Sequence, residues 1–436
     1  MVRNPKAILA LLTALNLLNY IDRMVLAAVL KPMSAELHLS GKEGGFLATA
    51  FLLGYFLTSP FFGAAADRGK RGWLIALGVV IWSLATAATG LCHGYWTLLA
   101  ARVVVGVGEA SYATIAPTII DDITPPESKS RALAIFYLAL PVGSAMGYVL
   151  GGQILAHWGW RAAFYVAGGP GLLLGLSCLL IAEPARQLRE AKANLVAGLR
   201  TLSRIPLFRR AVLGYCSYTA ALGAFALWAP SFLAERFTRE LGGDVVDPVK
   251  LLDAATANAS TYFGIVTIVA GAIGTYLGGW WSDRAQQRGP AITPDTPWTS
   301  PANSTGINAL LRVCAIGMIV AAPLSAVAFL APSPWLFFAF AFFAEIGLFL
   351  STSPVNAIGL RAVPPEMRAS AMAAMIFAIH LLGDLWSPFL LGVLNDSIGA
   401  TLAMLTLPVT FAVSAYTWWP RRAEAGGPPV ARLVSA

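Results

Sequence analysis

Charged residues are scarce in this sequence, and their scarcity excludes a soluble protein. Asp, Glu, Lys and Arg make up 12% of the 436 residues, and 57% of the residues are hydrophobic. Soluble domains carry about 25% charged residues. A chain with so little charge cannot cover a compact globule with a polar surface. The composition therefore indicates a protein whose surface faces hydrocarbon.

Cysteine and histidine are also rare, with four residues of each type. The cysteines lie singly in apolar runs and form no CxxC pair, which argues against a disulfide framework or a zinc site. No two histidines have the i, i+4 spacing of a helical metal site. We therefore expect no metal ion and no cofactor, and we interpret the cysteines as small buried hydrophobic residues.

Motifs for nucleotide chemistry and hydrolysis are missing as well. The sequence has no Walker loop, and "GVGEAS" (106–111) is half of a dinucleotide fingerprint that lies inside an apolar run without a preceding strand. Glu345, His380 and Asp384 have no serine or cysteine nucleophile placed with them in a recognisable pattern. We predict that the chain is not an enzyme.

Long apolar runs are what the sequence has in abundance. About 20 helical residues cross a hydrocarbon core of about 30 Å, and runs of this length occupy almost the whole chain. They are continuous rather than alternating, which predicts helices and not barrel strands. We predict twelve transmembrane spans, at 7–30, 45–66, 73–92, 96–120, 132–156, 163–182, 211–234, 259–281, 309–331, 334–358, 369–393 and 398–419.

Membrane topology explains the net charge of +8. If the N-terminus is cytoplasmic, most of the lysine and arginine residues fall in segments on the cytoplasmic side. This bias follows the positive-inside rule and predicts that both termini are cytoplasmic. It also removes the reason to expect a nucleic-acid partner. We expect a multi-pass integral protein of the plasma (inner) cell membrane.

Two short motifs occur twice in the same order. Gly-x-x-x-Asp-Arg begins at Gly63 and at Gly279, and Pro-Pro-Glu begins at Pro125 and at Pro364. The two copies of each motif are six predicted helices apart, which predicts a duplicated six-helix unit. The predicted fold class is therefore an all-α polytopic membrane protein with two pseudo-symmetric six-helix bundles. We predict these bundles at 1–182 and 211–436, joined by a basic cytoplasmic linker at 183–210.

These motifs resemble those of the major facilitator superfamily over the full chain. The resemblance depends on the duplicated Gly-x-x-x-Asp-Arg loops, on "RVVVGVGEA" (102–110) and on "PVGSAMGYVLGG" (141–152). "NYIDR" (19–23), together with "GVGEASYATIAPTIIDD" (106–122), resembles the Spinster-like branch. The resemblance implies the major facilitator fold, alternating access and transport of a lysophospholipid or sphingosine phosphate. Organic-anion:cation symporters share the Asp-Arg of the first helix and an Arg seven residues before a Glu in the fourth, so a small organic anion such as a sugar acid is the alternative substrate.

Ionisable residues inside the predicted spans are the candidate transport site. A charge at bilayer depth costs at least about 2.5–3.5 kcal/mol, so it persists only when it faces the bundle interior, is paired or is neutralised. Asp22 and Glu109 are the candidate proton-coupling residues, because a buried carboxylate takes up a proton when it loses its cationic partner. The candidate substrate-binding residues of this half are Asn19, Tyr20, Arg23 and Arg102.

A purely structural role for these charges is the competing interpretation. Asp22, Arg23, Arg102 and Glu109 carry two charges of each sign, so they would also form a neutral network that holds the first and fourth helices together. A small organic anion fits the four charges as well as an amphipathic lipid does. A lipid scramblase, which needs no proton, is a more distant alternative.

The second half has fewer ionisable residues inside its predicted spans. Glu345 and Asp384 are its candidate substrate-binding residues, and aromatic residues near them suit a lipid tail. In the superfamily that the chain resembles, the Gly-x-x-x-Asp-Arg loop closes the cytoplasmic face, which implies that Asp67, Arg68, Asp283 and Arg284 form a gate. We expect a monomer with a small-molecule or lysolipid substrate, membrane lipids as partners and the proton as coupling ion.

Overall fold

The computed structural model describes residues 3–125, 128–183, 201–242, 247–288, 300–364 and 367–420, and these residues are almost entirely helical. The first five helices are α1 Pro5–Leu37, α2 Gly41–Arg68, α3 Arg71–Thr89, α4 Tyr95–Ile123 and α5 Lys129–Ser177. The next five are α6 Pro206–Leu241, α7 Pro248–Gln287, α8 Pro301–Leu330, α9 Pro334–Leu350 and α10 Thr352–Arg361. The last four are α11 Arg368–Ile379, α12 Ser387–Ile398, α13 Ala400–Met404 and α14 Thr406–Trp418. A 3-10 turn, Cys178–Leu180, follows α5, and a π-helical segment, His380–Asp384, follows α11.

Polar caps in the sequence explain where several of these helices begin. The Ser40 hydroxyl accepts a hydrogen bond from the backbone N–H of Glu43, and the Glu43 carboxylate accepts one in return from the backbone N–H of Ser40. This capping box satisfies backbone donors that the first turn leaves unpaired. At α8 and α9 the hydroxyls of Ser300 and Ser333 accept a hydrogen bond from the backbone N–H three residues further on. Each serine is followed by a proline at the first helical position, where the missing N–H costs nothing.

Eleven helices of the described residues are long and apolar enough to cross a membrane. One of them continues through two predicted spans, because α5 is 49 residues long and contains 132–156 and most of 163–182. Gly159 interrupts it with φ 78° and ψ 170°, a conformation that residues with a Cβ rarely adopt. The all-helical, polytopic fold class predicted from the sequence is confirmed, and the helix bounds explain why eleven helices hold twelve spans.

The helices form two compact units. Unit 1 consists of 1–189, 226–268 and 388–400, and unit 2 consists of 190–225, 269–387 and 401–436. Helices α6 and α7 contribute residues to both units. These units are defined by which residues pack together, whereas the predicted bundles at 1–182 and 211–436 are defined by sequence duplication. The bundles therefore stay a prediction. Most of the predicted linker at 183–210 lies outside the described residues.

Unit 1 is held together by close helix packing. Helix α1 packs against α5, α2 against α4, and α3 against both α4 and α5. Ion pairs and hydrogen bonds at its edge add to this packing, since Lys31 Nζ lies 2.7 Å from Glu235 Oε1. The Asp396 carboxylate accepts hydrogen bonds from the backbone N–H groups of Gly41 and Lys42, at the first turn of α2, where a negative charge complements the helix dipole.

Unit 2 is built around α8, which packs against α9, α10 and α14. Its interior is rich in aromatic side chains, including Phe329, Phe337 and Trp418, which are all fully buried. The Trp418 indole N–H donates a hydrogen bond to the backbone carbonyl of Ala211, at 3.1 Å. A membrane-buried indole needs such a partner because no water is available to it.

Candidate functional site

The first helix carries the Asp-Arg pair into the interior of unit 1. Asp22 is fully buried, and the side chain of Arg23 is 19% exposed. Helix α5 lies close to this part of α1 because it presents glycines there. A Cβ on Gly143 would lie 2.6 Å from the carbonyl oxygen of Leu17, and one on Gly147 would lie 2.6 Å from that of Ile21. The glycine repeat of α5 therefore allows the backbone contact that positions the charged turn of α1.

Arg23 forms a salt bridge with a carboxylate from another helix. Its Nε lies 2.7 Å from Oε2 of Glu109 on α4, and the Glu109 side chain is fully buried. The two residues are 86 positions apart in the chain. The pair joins α1 to α4, so two of the predicted site residues are in direct contact. The sequence alone did not assign this pairing, because periodicity relates residues only along one helix.

Asp22 has a different partner, which the sequence analysis missed. The Thr86 hydroxyl of α3 donates a 2.5 Å hydrogen bond to Asp22 Oδ2. The other carboxylate oxygen, Oδ1, is buried without a hydrogen-bond partner among the described residues, as is Nδ2 of Asn19. A single threonine in an apolar helix gives no sequence signal that separates it from a packing residue. The Asp22 carboxylate is thus only half satisfied.

Arg102 is the unpaired cation of this group. It is 3% exposed, its Nε has no hydrogen-bond partner, and it forms no ion pair with any described residue. Its guanidinium carbon lies 5.0 Å from the ring centroid of Phe51. Asp22 and Glu109 attract this guanidinium without a direct ion pair among the described residues, so Arg102 keeps a capacity to bind an anion.

Phe51 lies against both arginines and is a second residue that the sequence analysis missed. Arg23 lies 5.0 Å from the same ring centroid and 5.6 Å from that of Tyr55. Helix α2 reaches them because α4 has a glycine at the contact, since a Cβ on Gly106 would collide with the carbonyl oxygen of Phe51. Cation–π contact stabilises a guanidinium without neutralising it, so the ring holds both arginines in place and leaves their charge available.

Tyr20 and Asn19 complete the predicted residues of unit 1. The Arg23 guanidinium lies 5.1 Å from the Tyr20 ring centroid, and Asn19 is 2% exposed. Every residue predicted for this half of the site is therefore brought to one region of unit 1, around α1 and α4. Two carboxylates and two guanidiniums give the group a formal charge of zero when all four are ionised. Loss of the Arg23–Glu109 pair would leave a carboxylate free to take up a proton.

The predicted site residues of unit 2 lie in two separate environments. Glu345 on α9 is 2% exposed and lines an apolar cavity whose walls are Phe225, Ser325, Ala328, Phe329, Phe337, Ala341, Ala344, Leu348 and Phe411. Asp384 ends the π-helical segment, and its two carboxylate oxygens lie 3.0 and 2.9 Å from Nδ1 of His380. Asp384 does not line the Glu345 cavity. The aromatic lining supports the expected apolar character of this half.

The four predicted gate residues lie near the ends of α2 and α7. Asp67 and Arg68 are the last two residues of α2, and both are exposed. Asp283 and Arg284 lie in the last turns of α7 and are also exposed. The Arg284 guanidinium lies 4.2 Å from the ring centroid of Trp280. Their role as a gate stays a prediction.

Comparison with known proteins places the chain among membrane transporters. Residues 12–383 match the family profile described as Major Facilitator Superfamily. The protein spinster homolog 1 of Homo sapiens is 35% identical over 401 residues, which cover 89% of this chain and 72% of that protein. The protein spinster homolog 3 of Danio rerio is 32% identical over 403 residues, which cover 89% and 76%.

Solved structures show the same fold. The crystal structure of a bacterial homolog of the human lysosomal transporter Spinster, in an inward-facing and unoccupied conformation, superimposes with a TM-score of 0.78. It is 24% identical and covers 95% of this chain and 96% of that chain. A D-xylose–proton symporter superimposes with a TM-score of 0.70 at 15% identity, covering 96% of this chain and 98% of that chain.

Proposed function

The chain belongs to the major facilitator superfamily as a transporter of the Spinster type, and from this premise we propose that it is a proton-coupled secondary transporter of an amphipathic anionic lipid. The transported molecule has a phosphate headgroup and one long chain, as in a lysophospholipid or a sphingosine phosphate. Transport proceeds by alternating access. The chain is a multi-pass integral membrane protein and not an enzyme.

The unpaired Arg102 is the observation that carries this proposal. A cation that is 3% exposed and has no ion-pair partner among the described residues is stabilised by any anion that reaches it. A phosphate headgroup accepts several charge-assisted hydrogen bonds from a guanidinium. Arg23, which also lies 5.0 Å from the Phe51 ring centroid, adds a second cation once Glu109 no longer pairs with it.

The ion pair between Arg23 and Glu109 supports proton coupling. When the substrate anion binds Arg23, the Glu109 carboxylate loses its counter-ion in a buried setting and takes up a proton. Asp22, whose Oδ1 accepts no hydrogen bond from a described residue, is the second carboxylate that exchanges a proton. The cycle needs no cofactor and no metal ion, because the proton is the coupling ion.

The apolar cavity of unit 2 supports an amphipathic substrate. Its volume is about 10 Å³, roughly the space of one water molecule. Four phenylalanines of its lining, Phe225, Phe329, Phe337 and Phe411, therefore offer contacts to a hydrocarbon chain only in a state of the transport cycle in which this cavity opens. Glu345 and Asp384 are the polar residues that bind substrate in this unit. A small organic anion such as a sugar acid would bind Arg102 and Arg23 without contacting this lining. It is the alternative substrate that the experiment must distinguish from a lipid.

The remaining parts of the proposal concern topology and gating. Both termini are cytoplasmic in the plasma (inner) cell membrane, and the protein acts as a monomer surrounded by membrane lipids. Asp67, Arg68, Asp283 and Arg284 close the cytoplasmic face in one state. Asp67→Asn is expected to shift the balance of inward-open and outward-open states, measured by labelling of introduced cysteines, and an unchanged labelling pattern would remove the gate from the proposal.

Ligand binding to the purified protein tests the substrate class. Thermal stability in neutral detergent is measured with a lysophospholipid, sphingosine phosphate and a short-chain sugar acid, each at acidic and at neutral pH. The long-chain anions are expected to raise the melting temperature of the wild type and not that of Arg102→Ala. Stabilisation by the sugar acid alone would move the protein to the organic-anion symporters and remove the lipid substrate.

A transport assay separates coupling from binding. In proteoliposomes, accumulation of the stabilising ligand is expected to follow an imposed proton gradient. Movement of labelled lipid down its own gradient, at a rate that ignores the proton gradient, would instead indicate a scramblase.

A further inference from the structure

A second basic site lies in unit 2 and contains none of the residues assigned to substrate binding or proton coupling, although it shares Arg284 with the predicted gate. It is a pocket of about 330 Å³ between the end of α7 and the first half of α8. Its lining from α7 is Trp280, Trp281, Arg284, Ala285 and Arg288, and its lining from α8 is Ala309, Arg312, Val313 and Ile316. Small-molecule sites occupy roughly 300–1,000 Å³, so the space is sufficient for a headgroup.

Helix periodicity explains why these side chains converge. Trp280, Arg284 and Arg288 are spaced by four residues and share one face of α7, because the helical turn continues through the 3.3 Å hydrogen bond from Arg288 N–H to the Arg284 carbonyl. On α8 the lining residues follow the i, i+3, i+4, i+7 pattern of one face. The two faces that line the pocket together present three guanidiniums.

None of the three arginines is neutralised within the described part of the chain. Arg284, Arg288 and Arg312 form no ion pair with a described carboxylate. Arg284 lies over the Trp280 ring at 4.2 Å from its centroid, which orients the guanidinium and leaves its charge intact. Three uncompensated cations in one pocket have the chemistry of an anion site.

The position of the pocket identifies the source of the anion. The apolar spans predicted from the sequence end at 281 and begin again at 309, so the pocket lies where α7 and α8 meet the membrane surface. Trp280 is 46% exposed and Trp281 is 37% exposed, and exposed indoles at this level lie among lipid headgroups. Val313 and Ile316 give the pocket an apolar side that a free anion would not use.

From this arrangement we infer that the pocket binds the phosphate headgroup of an anionic phospholipid of the surrounding bilayer. The lipid is a bound component of the transporter and not its cargo. Basic pockets between transmembrane helices bind anionic headgroups through this combination of cations and interfacial aromatic residues. The inference stands on unit 2 alone and does not depend on the proposed substrate.

Lipid titration of the purified full-length protein tests the inference. Thermal stability is measured in neutral detergent against phosphatidylglycerol, phosphatidylcholine and glycerol phosphate, for the wild type and for Arg288→Ala/Arg312→Ala. Because both residues are exposed, the double variant is expected to fold, and its melting temperature without lipid checks this. Phosphatidylglycerol is expected to bind the double variant about 30-fold more weakly than the wild type, since each basic residue contributes roughly a fivefold step.

A charge-matched variant controls for the general loss of positive charge. Arg131→Ala/Arg209→Ala removes two exposed arginines that do not line the pocket, and it is expected to bind phosphatidylglycerol like the wild type. Equal binding of phosphatidylcholine and phosphatidylglycerol, or equal loss in both double variants, would overturn the site. Binding of glycerol phosphate as tight as that of phosphatidylglycerol would overturn the lipid as its source.

The Arg102→Ala variant separates this inference from the proposed function. It is expected to lose stabilisation by the transported anion and to keep stabilisation by phosphatidylglycerol. Arg288→Ala/Arg312→Ala is expected to show the reverse. Loss of phosphatidylglycerol binding in Arg102→Ala would place the lipid at the transport site and overturn the second site, whatever the outcome for the substrate.

Discussion

The basic residues at the two Gly-x-x-x-Asp-Arg loops have different surroundings, although the equivalent motif residues Arg68 and Arg284 are both exposed. After the first copy, Arg71 is 4% exposed, and its guanidinium lies 2.6 Å from Asp122 and 2.8 Å from Glu183. In the second copy, Arg284 is exposed and lies over the Trp280 ring instead of a carboxylate. The charge of Arg71, after the first loop, is neutralised inside unit 1. The charge of Arg284, in the second loop, stays available to a ligand.

The same contrast occurs inside the membrane-spanning region of unit 1. Arg23 is paired with Glu109 at 2.7 Å, whereas Arg102 forms no ion pair within the described ranges. A paired cation stabilises the contact between two helices, and an unpaired one is available to an anion. The comparison teaches that the partner, and not the motif, decides whether a basic residue is structural or binds a ligand.

Arg71→Met is expected to give the largest effect, because it leaves the buried Asp122 carboxylate without its cation. Breaking a buried ion pair costs about 3–5 kcal/mol of unfolding free energy. The free energy of unfolding in detergent, from denaturant titration, measures the loss. Arg284→Met is the matched change in the other loop, and it is expected to cost less than about 0.5 kcal/mol. Equal losses in the two variants would remove the contrast between the loops.

Glu109→Gln removes the charge that pairs with Arg23 and keeps the side-chain volume. The amide cannot take up a proton, so uptake driven by a proton gradient is expected to fall by about 100-fold or more, roughly the contribution of one proton-transfer group. Initial rates in proteoliposomes measure it. The control is Glu235→Gln, which changes a carboxylate that is 41% exposed, and it is expected to transport like the wild type. Gradient-driven uptake by Glu109→Gln at the wild-type rate would exclude Glu109 from coupling.

Thr86→Val sharpens the comparison by removing the partner of Asp22 and keeping the side-chain shape. A hydrogen bond to a charged group contributes about 1.5–3 kcal/mol, so the unfolding free energy is expected to fall by about that amount. Thr58→Val is the matched control, because the Thr58 hydroxyl donates only to the Gly54 carbonyl of its own helix. A loss no larger than that of the control would show that Asp22 does not depend on Thr86.

Phe51→Leu is expected to give the smallest effect that can still be measured. The ring contacts both guanidiniums at 5.0 Å, and each cation–π contact contributes about 0.5–1 kcal/mol. Loss of both contacts is therefore expected to raise the apparent Kd of the anionic ligand by about 5- to 30-fold. Phe46→Leu removes a ring that contacts Phe389, and ligand affinity is expected to stay unchanged there. An equal change in both variants would assign the effect to packing.

Much of the fold could be predicted because it follows from composition and local pattern. Apolar runs of sufficient length predicted the spans. The sequence did not predict that the two spans on either side of Gly159 form one continuous helix, because a glycine in a short polar segment is equally compatible with a loop. The site residues on α1 and α4 could be predicted because charge is expensive in a bilayer and therefore informative.

The partners of those residues could not be predicted from periodicity. Thr86 and Phe51 come from helices without charged residues at that depth, and nothing in their own segments distinguishes them from packing residues. Arg288 and Arg312 looked like ordinary basic residues of the positive-inside pattern. Their convergence on one pocket depends on how the end of α7 faces the beginning of α8.

The sequence by itself determined the class of the protein, its helical spans and the ionisable residues that must face the interior, because hydrophobicity and the cost of buried charge act on each segment separately. Only the tertiary structure decided that Arg23 forms an ion pair with Glu109 and that Asp22 accepts a hydrogen bond from Thr86. It also decided that Arg102 has no ion-pair partner among the described residues. Pairing energies depend on distances between atoms of different helices, and those distances are set by the packing of glycine faces against backbone and not by any one segment.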